Sequence, residues 1–304
     1  MLNFKQLCLE DKETVDKYLK AWNSDSSEMS FANIYTWACS FNTQFAIDGG
    51  ALYLIHKFTD NKVLMRMPIP IDVNADLSAY IEVAKGFCYD NKLTMDLRIS
   101  SEEMLDRFKK DYGEDYNIEP HENGFDYVYT SKSLIELSGK KLHSKRNHIN
   151  KFLSLYEPTF KLFDDSNIVE CLELYNKWLS SKDLEIKNIM EESCAIDRTL
   201  KAYNELGLTG CIIEVKGKVE AFAFGEKLND NTALIHIEKY NAEFEGISSY
   251  VNKAFVENCW SELEFINREE DMGIEGLRRA KKSYNPIKMV EKYIIKNFVV
   301  NGEK

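Results

Sequence analysis

His236 and Glu238 stand two residues apart in Thr232–Tyr240, a run patterned like a strand. Side chains alternate along a strand. Ala233, Ile235 and Ile237 are therefore expected on one face, and Leu234, His236, Glu238 and Tyr240 on the other. A core strand avoids a His and a Glu on the same face unless they line a cleft. Either side chain would then qualify as a general base or proton shuttle. The next segment, Ile247–Trp260, places Ile247, Tyr250, Val251, Ala254, Phe255 and Cys259 on one helical stripe. Its N-terminus, with Gly246 and the pair Ser248 and Ser249, offers backbone N–H groups on which a ligand can rest. A second strand, Glu262–Asn267, and a charged tail follow. The plainer alternatives are a His236 hydrogen-bonded within the sheet and a Glu238 paired with Lys239 or another basic neighbour.

Length and composition bound what such a site can belong to. The 304 residues suffice for two domains or one large one. With 44% hydrophobic and 29% charged residues, the chain reads as globular and not disordered. It has no apolar run of the ~18 residues that a membrane span needs. Lys, Asp and Glu lace the first twenty residues, which argues against a secretory signal. Seven scattered cysteines without a C-x-x-C pair point to reduced thiols in a cytoplasm, not to a disulfide framework or a zinc ribbon. No metal-ligand spacing, P-loop or G-x-S-x-G element is present.

A net charge of −11 argues against wholesale nucleic-acid binding. Two blocks nevertheless carry basic residues without acids. The first holds Lys140, Lys141, Lys145, Arg146 and Lys151, with His143 and His148; the second holds Arg278, Arg279, Lys281, Lys282 and Lys288. They mark either an anionic partner or solvated helix faces.

The elements that must position these residues recur. Residues 1–40 read as helical. Three strand patterns follow, Gln44–Ile47, Ala51–Phe58 and Lys62–Met67, joined by turn signals at Asp48-Gly49-Gly50 and Thr59–Asn61. Then come a helix (Leu77–Tyr89), a strand (Leu93–Ile99), a helix from a Ser100/Ser101 cap, and strands at Tyr116–Glu119 and Phe125–Thr130. The second half repeats this order: helices at Ser166–Leu179 and Glu191–Leu206, a meander of Cys211–Val215, Val219–Lys227 and Thr232–Tyr240, then a helix and a strand. The fold class is therefore α+β, either as two similar domains, 1–131 and 132–304, or as one large mixed sheet. The element order resembles that of GNAT-type acyltransferases. That resemblance implies a cofactor carbonyl entering a splay between the fourth and fifth strands, and a pyrophosphate on the following helix N-terminus.

Particular residues narrow the resemblance. The run Lys140 to Phe152, with Lys145-Arg146-Asn147 at its centre, is similar to a stretch in a large bacterial family of unassigned function. That family is related to the C-terminal catalytic domain of phosphatidylglycerol lysyltransferase. The tail from Asn267, Glu269, Asp271 and Gly273 through Leu277-Arg278, Ala280-Lys281 and Ser283-Tyr284 to Pro286 resembles the same family's signature. So does Phe31-Ala32-Asn33-Ile34-Tyr35-Thr36-Trp37 near the start. The resemblance implies a tandem GNAT-like fold and transfer of an aminoacyl group; the lysyltransferase itself moves lysine from lysyl-tRNA to a lipid hydroxyl. The multi-span membrane half of that enzyme has no counterpart in these residues, which leaves both donor and acceptor open.

Acyl transfer needs a base, an oxyanion stabiliser and a hold on the donor. On this reading His236 or Glu238 is the base. Glu269 and Asp271, close to Asn267, orient a donor α-amino group. Arg278, Lys281 and Lys282, with Lys145 and Arg146, hold phosphate, and Tyr284 gives a proton to the leaving oxygen. The active half is 132–304, and 1–131 is a scaffold, because its corresponding strand ends in Met67-Pro68. The donor is an aminoacyl-tRNA or an acyl-coenzyme A. The latter fits less well, since Glu243 and Glu245 flank the turn where its pyrophosphate would lie. The competing readings are a small-ligand-binding protein without catalysis and a tRNA or polyanion binder.

Overall fold

The structure is a computed structural model that describes residues 2–180 and 186–301. The chain divides into two compact units, Met1–Phe125 with Val290–Lys304, and Asp126–Met289.

The first unit begins with β1 (Lys5–Gln6), α1 (Lys12–Ala21) and α2 (Phe31–Phe41). The Ser30 hydroxyl accepts from the Asn33 N–H and caps α2. A meander follows, β2 (Thr43–Asp48), β3 (Ala51–Thr59) and β4 (Lys62–Arg66), turning at Gly49 and Gly50, which both have positive φ. After β5 (Ile69–Pro70) and α3 (Leu77–Asp90), β6 (Thr94–Ile99) pairs parallel to β4. Then come α4 (Glu102–Tyr112), capped by Ser101, and β7 (Ile118–Pro120). Tyr53, Ile55, Val63, Met65, Ala84 and Met95 are buried together where α3 covers this sheet.

The second unit opens with β8 (Asp126–Thr130), α5 (Ser131–Glu136), α6 (His143–Tyr156) and β9 (Thr159–Leu162). Helices α7 (Ile168–Ser180), α8 (Ile186–Lys201) and α9 (Tyr203–Leu206) lead into the meander β10 (Thr209–Val215), β11 (Lys218–Lys227) and β12 (Thr232–Tyr240). The rest is α10 (Ile247–Cys259), β13 (Phe265–Asn267), α11 (Glu275–Lys282) and β14 (Lys288–Val290). Its strands lie in the order β14-β8-β13-β12-β11-β10-β9. Two cores cover the sheet: Phe152, Ala233, Ile235, Val251 and Phe255 in one, and Cys171, Tyr175, Ile196, Phe222 and Phe224 in the other. Each unit thus repeats meander, helix and parallel strand, a tandem GNAT-like arrangement of mixed sheets flanked by helices. One large mixed sheet is excluded.

Three expectations are corrected. The division at 131/132 moves, because β8 pairs with β13 and belongs to the second sheet. The tail is not merely charged: it forms α11, β14 and a last strand, β15 (Tyr293–Val299), which lies between β6 and β7 of the first sheet. Five cysteines (8, 88, 171, 211 and 259) are free thiols, but Cys39 and Cys194 are not. A sequence without a close cysteine pair carries no signal for that. Among the described residues no helix is long and apolar enough to cross a membrane.

β12 breaks simple alternation. Phe224 pairs with Ile237 and Gly225 with Ile235, so His236 is an extra residue without a partner across the ladder. Beyond this bulge the faces exchange. Ile237 packs with Phe222 and Phe224, whereas Glu238 bonds to Asn252 on α10. The expected grouping of Ala233, Ile235 and Ile237 on one face therefore fails at Ile237. Gly225 permits the bulge, since a Cβ there would stand 2.5 Å from the Leu234 carbonyl oxygen. Gly225→Ala should cost ~1–3 kcal/mol of stability. Gly276→Ala, on an open face of α11, should be neutral or slightly stabilising. Thermal melts of the two variants check this.

Candidate functional site

β12 and β13 pair through only three residues each, Thr232–Leu234 with Phe265–Asn267. β13 stops there while β12 continues to Tyr240, so the two strands part. Arg268, the first residue beyond β13, reaches Glu238 on the far part of β12, donating from Nη2 to Oε2 at 2.5 Å. The other Glu238 oxygen accepts from Asn252 Nδ2 of α10 at 2.9 Å. The guanidinium carbon lies 5.0 Å from the Tyr284 ring centre and 5.8 Å from that of Tyr129. Arg268 Nε and Nη1 make no hydrogen bond, and these aromatic faces stand in for acceptors. Lys145, from α6, places Nζ 4.5 Å from the Tyr284 ring centre. Burial, reinforced by the Arg268 charge, lowers the Lys145 pKa. The buried Tyr284 hydroxyl donates to Ser249 Oγ on α10 at 3.2 Å. Burial raises its pKa against the pull of Arg268, so it is a neutral proton donor.

The structure thus brings together Glu238, Tyr284 and Lys145 from the sequence-based set. It adds Arg268, Asn252, Ser249 and Tyr129. Arg268 sits inside the tail that carries the family resemblance, but at a position the matched pattern leaves variable. Ser249 lies in the first turn of α10, the helix N-terminus that the sequence marks. No local signal marks Asn252 or Tyr129.

His236 forms a separate cluster. Nδ1 lies 2.8 Å from Glu269 Oε1 and Nε2 lies 3.1 Å from Glu226 Oε1, with the imidazole 6% exposed. Burial alone would lower its pKa, but the two carboxylates outweigh burial and raise it to about 10. A doubly bonded imidazolium has no lone pair to accept a proton at neutral pH. The base role expected of His236 is corrected on that ground, and Glu269 is its partner.

Other expected ligand-binding residues hold the backbone instead. Asp271 is 1% exposed and accepts from Tyr127 Oη (2.6 Å), the Gly273 N–H (2.8 Å) and Arg278 Nε (2.8 Å). Burial would raise its pKa, but Arg278 and the other donors hold it at about 2. Asp271 and Arg278 thus neutralise each other. Lys281 Nζ donates to three successive carbonyls, those of Arg268 (2.6 Å), Glu269 (3.1 Å) and Glu270. Burial lowers its pKa to about 8. Asn267 accepts from the Glu269 N–H at 2.7 Å and donates to Asp126 at 3.0 Å. Arg146 donates to the carbonyls of Leu137 and Gly139. Substrate binding by Asp271, Arg278, Lys281, Asn267 and Arg146 is therefore not what their geometry supports. Lys282 is exposed, outside both clusters. Among the described residues no group of three or more His, Cys, Asp or Glu is arranged to hold a metal.

Comparison with known proteins gives this site a context. The family described as phosphatidylglycerol lysyltransferase, C-terminal, matches residues 20–296. A curated relative, an uncharacterized protein of Mycoplasmoides gallisepticum, is 26% identical over 185 residues. The match covers 60% of this chain and 59% of that relative, so the chain spans less than two thirds of its length. A conserved protein of unknown function from Bacteroides thetaiotaomicron is 30% identical, with a TM-score of 0.87 over 98% of this chain and 100% of that one. The structure of L-PGS from Bacillus licheniformis is 14% identical, with a TM-score of 0.65 over 97% and 93%. A tandem GNAT protein from the clavulanic acid biosynthesis pathway is 12% identical, with a TM-score of 0.51 over 98% and 99%. The last two likenesses concern the fold alone.

The His236 cluster makes a testable statement about pH. A His whose pKa rises from ~6.5 unfolded to about 10 folded contributes stability that is complete below pH ~6.5 and lost as pH approaches 10. Lys281 acts oppositely above pH 8, so wild type is compared with His236→Gln, in which Lys281 is unchanged. The Tm advantage of wild type should be largest near pH 6.5 and shrink steadily toward pH 10. An advantage constant across that range would exclude the charged imidazole.

Proposed function

The chain belongs to the phosphatidylglycerol lysyltransferase C-terminal family, and on that premise we propose that it is an acyl- or aminoacyl-transferase of GNAT type. One observation carries the proposal: where β12 and β13 part, Arg268, Glu238, Tyr284 and Lys145 converge. The donor is an activated ester, for which an aminoacyl-tRNA is the leading candidate, and the acceptor supplies a hydroxyl or an amine.

Transfer forms a new C–O or C–N bond as the ester C–O bond breaks, and the nucleophile's proton ends on the leaving oxygen. Arg268, held by Glu238, faces the negative charge that develops on the carbonyl oxygen. The Tyr284 hydroxyl protonates the leaving oxygen and regains a proton from the nucleophile. Glu238, fixed by Asn252, keeps the Arg268 cation in place, and Lys145 attracts donor phosphate. None of these steps asks His236 to act as a base.

The test mixes radiolabelled aminoacyl-tRNAs with small amines and with vesicles of glycerol-headgroup lipid, and follows label into the acceptor. Wild type should transfer label. Tyr284→Phe, which keeps the ring packing, should slow transfer ~10²-fold at an almost unchanged Tm. Equal rates in wild type and Tyr284→Phe would remove the tyrosine from the chemistry. Binding of the charged tRNA without transfer would favour the non-catalytic reading.

A further inference from the structure

The cofactor that a GNAT-like fold implies is coenzyme A, whose pyrophosphate needs an accessible helix N-terminus with free N–H donors. In the second unit that place is the first turn of α10, and its residues do not fit the group. The His148 carbonyl of α6 lies directly against Gly246, the residue before α10, so closely that any Cβ there would collide with it. Phe152 of α6 packs on Tyr250 at 5.3 Å between ring centres, and Tyr156 packs edge-on against Phe244 at 4.9 Å. Three N–H groups at the start of α10, those of Ile247, Ser249 and Tyr250, are already engaged. The Ile247 N–H bonds to the Phe244 carbonyl at 3.2 Å, and those of Ser249 and Tyr250 bond to the Gly246 carbonyl at 3.1 and 3.0 Å. The turn also carries two carboxylates, Glu243 bridged to Lys177 and Glu245 bridged to Lys151. A pyrophosphate would have to displace a helix, break local hydrogen bonds and approach like charge.

We infer that α6 is a specificity element, seated on the N-terminus of α10, that excludes coenzyme A thioesters and restricts this unit to donors without a nucleoside-diphosphate arm along that turn. The inference deepens the transferase reading and rests on it for the word donor. Its test is a binding measurement that needs no turnover.

Equilibrium dialysis of the full chain against labelled coenzyme A and acetyl-coenzyme A, with parallel thermal melts, is run on wild type and on the double variant Glu243→Gln, Glu245→Gln. Both bridges in that variant are exposed, so it should fold normally. The expected result is no saturable retention and no rise in Tm for either protein. Saturable binding by wild type would overturn the inference outright. Binding by the double variant alone would show that charge, and not α6, does the excluding, and would overturn the role given to the helix. Failure of the label-transfer assay would count against the transferase and leave this result unaffected.

Discussion

One unpartnered residue in β12 sets the direction of everything that follows it. Because His236 is an extra residue opposite the Phe224–Gly225 step, the side chains beyond it exchange faces. Glu238 is thereby turned toward α10, where Asn252 and Arg268 can reach it. A regular strand would have sent Ile237 to that face and left the Arg268 cation without its carboxylate. Burying such a cation alone costs several kcal/mol. The bulge also aims His236 between Glu226 and Glu269, which ties β11, β12 and the segment after β13 together through one imidazolium.

The segment after β13 is fixed with comparable thoroughness. Three consecutive carbonyls converge on the Lys281 ammonium, Asn267 closes the preceding turn, and Asp271 gathers Tyr127, Gly273 and Arg278. Glu269 and Met272 both hold positive φ there, a strained backbone that needs such anchoring. The charged residues of the tail therefore serve mainly to hold Arg268 and Glu269 still. A rigid surround of this kind is what electrostatic stabilisation of a transition state requires.

Much of the scaffold was legible in the sequence because its signals are local. The Gly49–Gly50 turn, the Ser101 cap and the stripe of α10 all report on neighbouring residues. The site was legible only in part. Residue type and pattern single out Glu238, Tyr284 and Lys145 as candidates, but the groups that surround them lie far away in sequence: Arg268 is thirty residues from Glu238, and Ser249 thirty-five from Tyr284. A bulge leaves no trace in an alternating pattern until the strand across from it is known. Asp271, Arg278 and Lys281 have the residue types of ligand binders, and only their geometry distinguishes anchors from ligands. The last strand carries a weak signal because Lys296 and Asn297 interrupt its apolar residues.

The position of that last strand has a consequence for how the molecule comes into being. β7 enters the first sheet only by pairing with β15, and β6 also gains a neighbour from it. During synthesis, residues 118–120 leave the ribosome long before residues 293–299 exist, so the first sheet stays open while the whole second unit is made. The second unit is contiguous in sequence and can close first. The half of the protein translated earlier is thus the one finished later, and until then it exposes an unfilled strand edge that a chaperone or a premature neighbour can occupy.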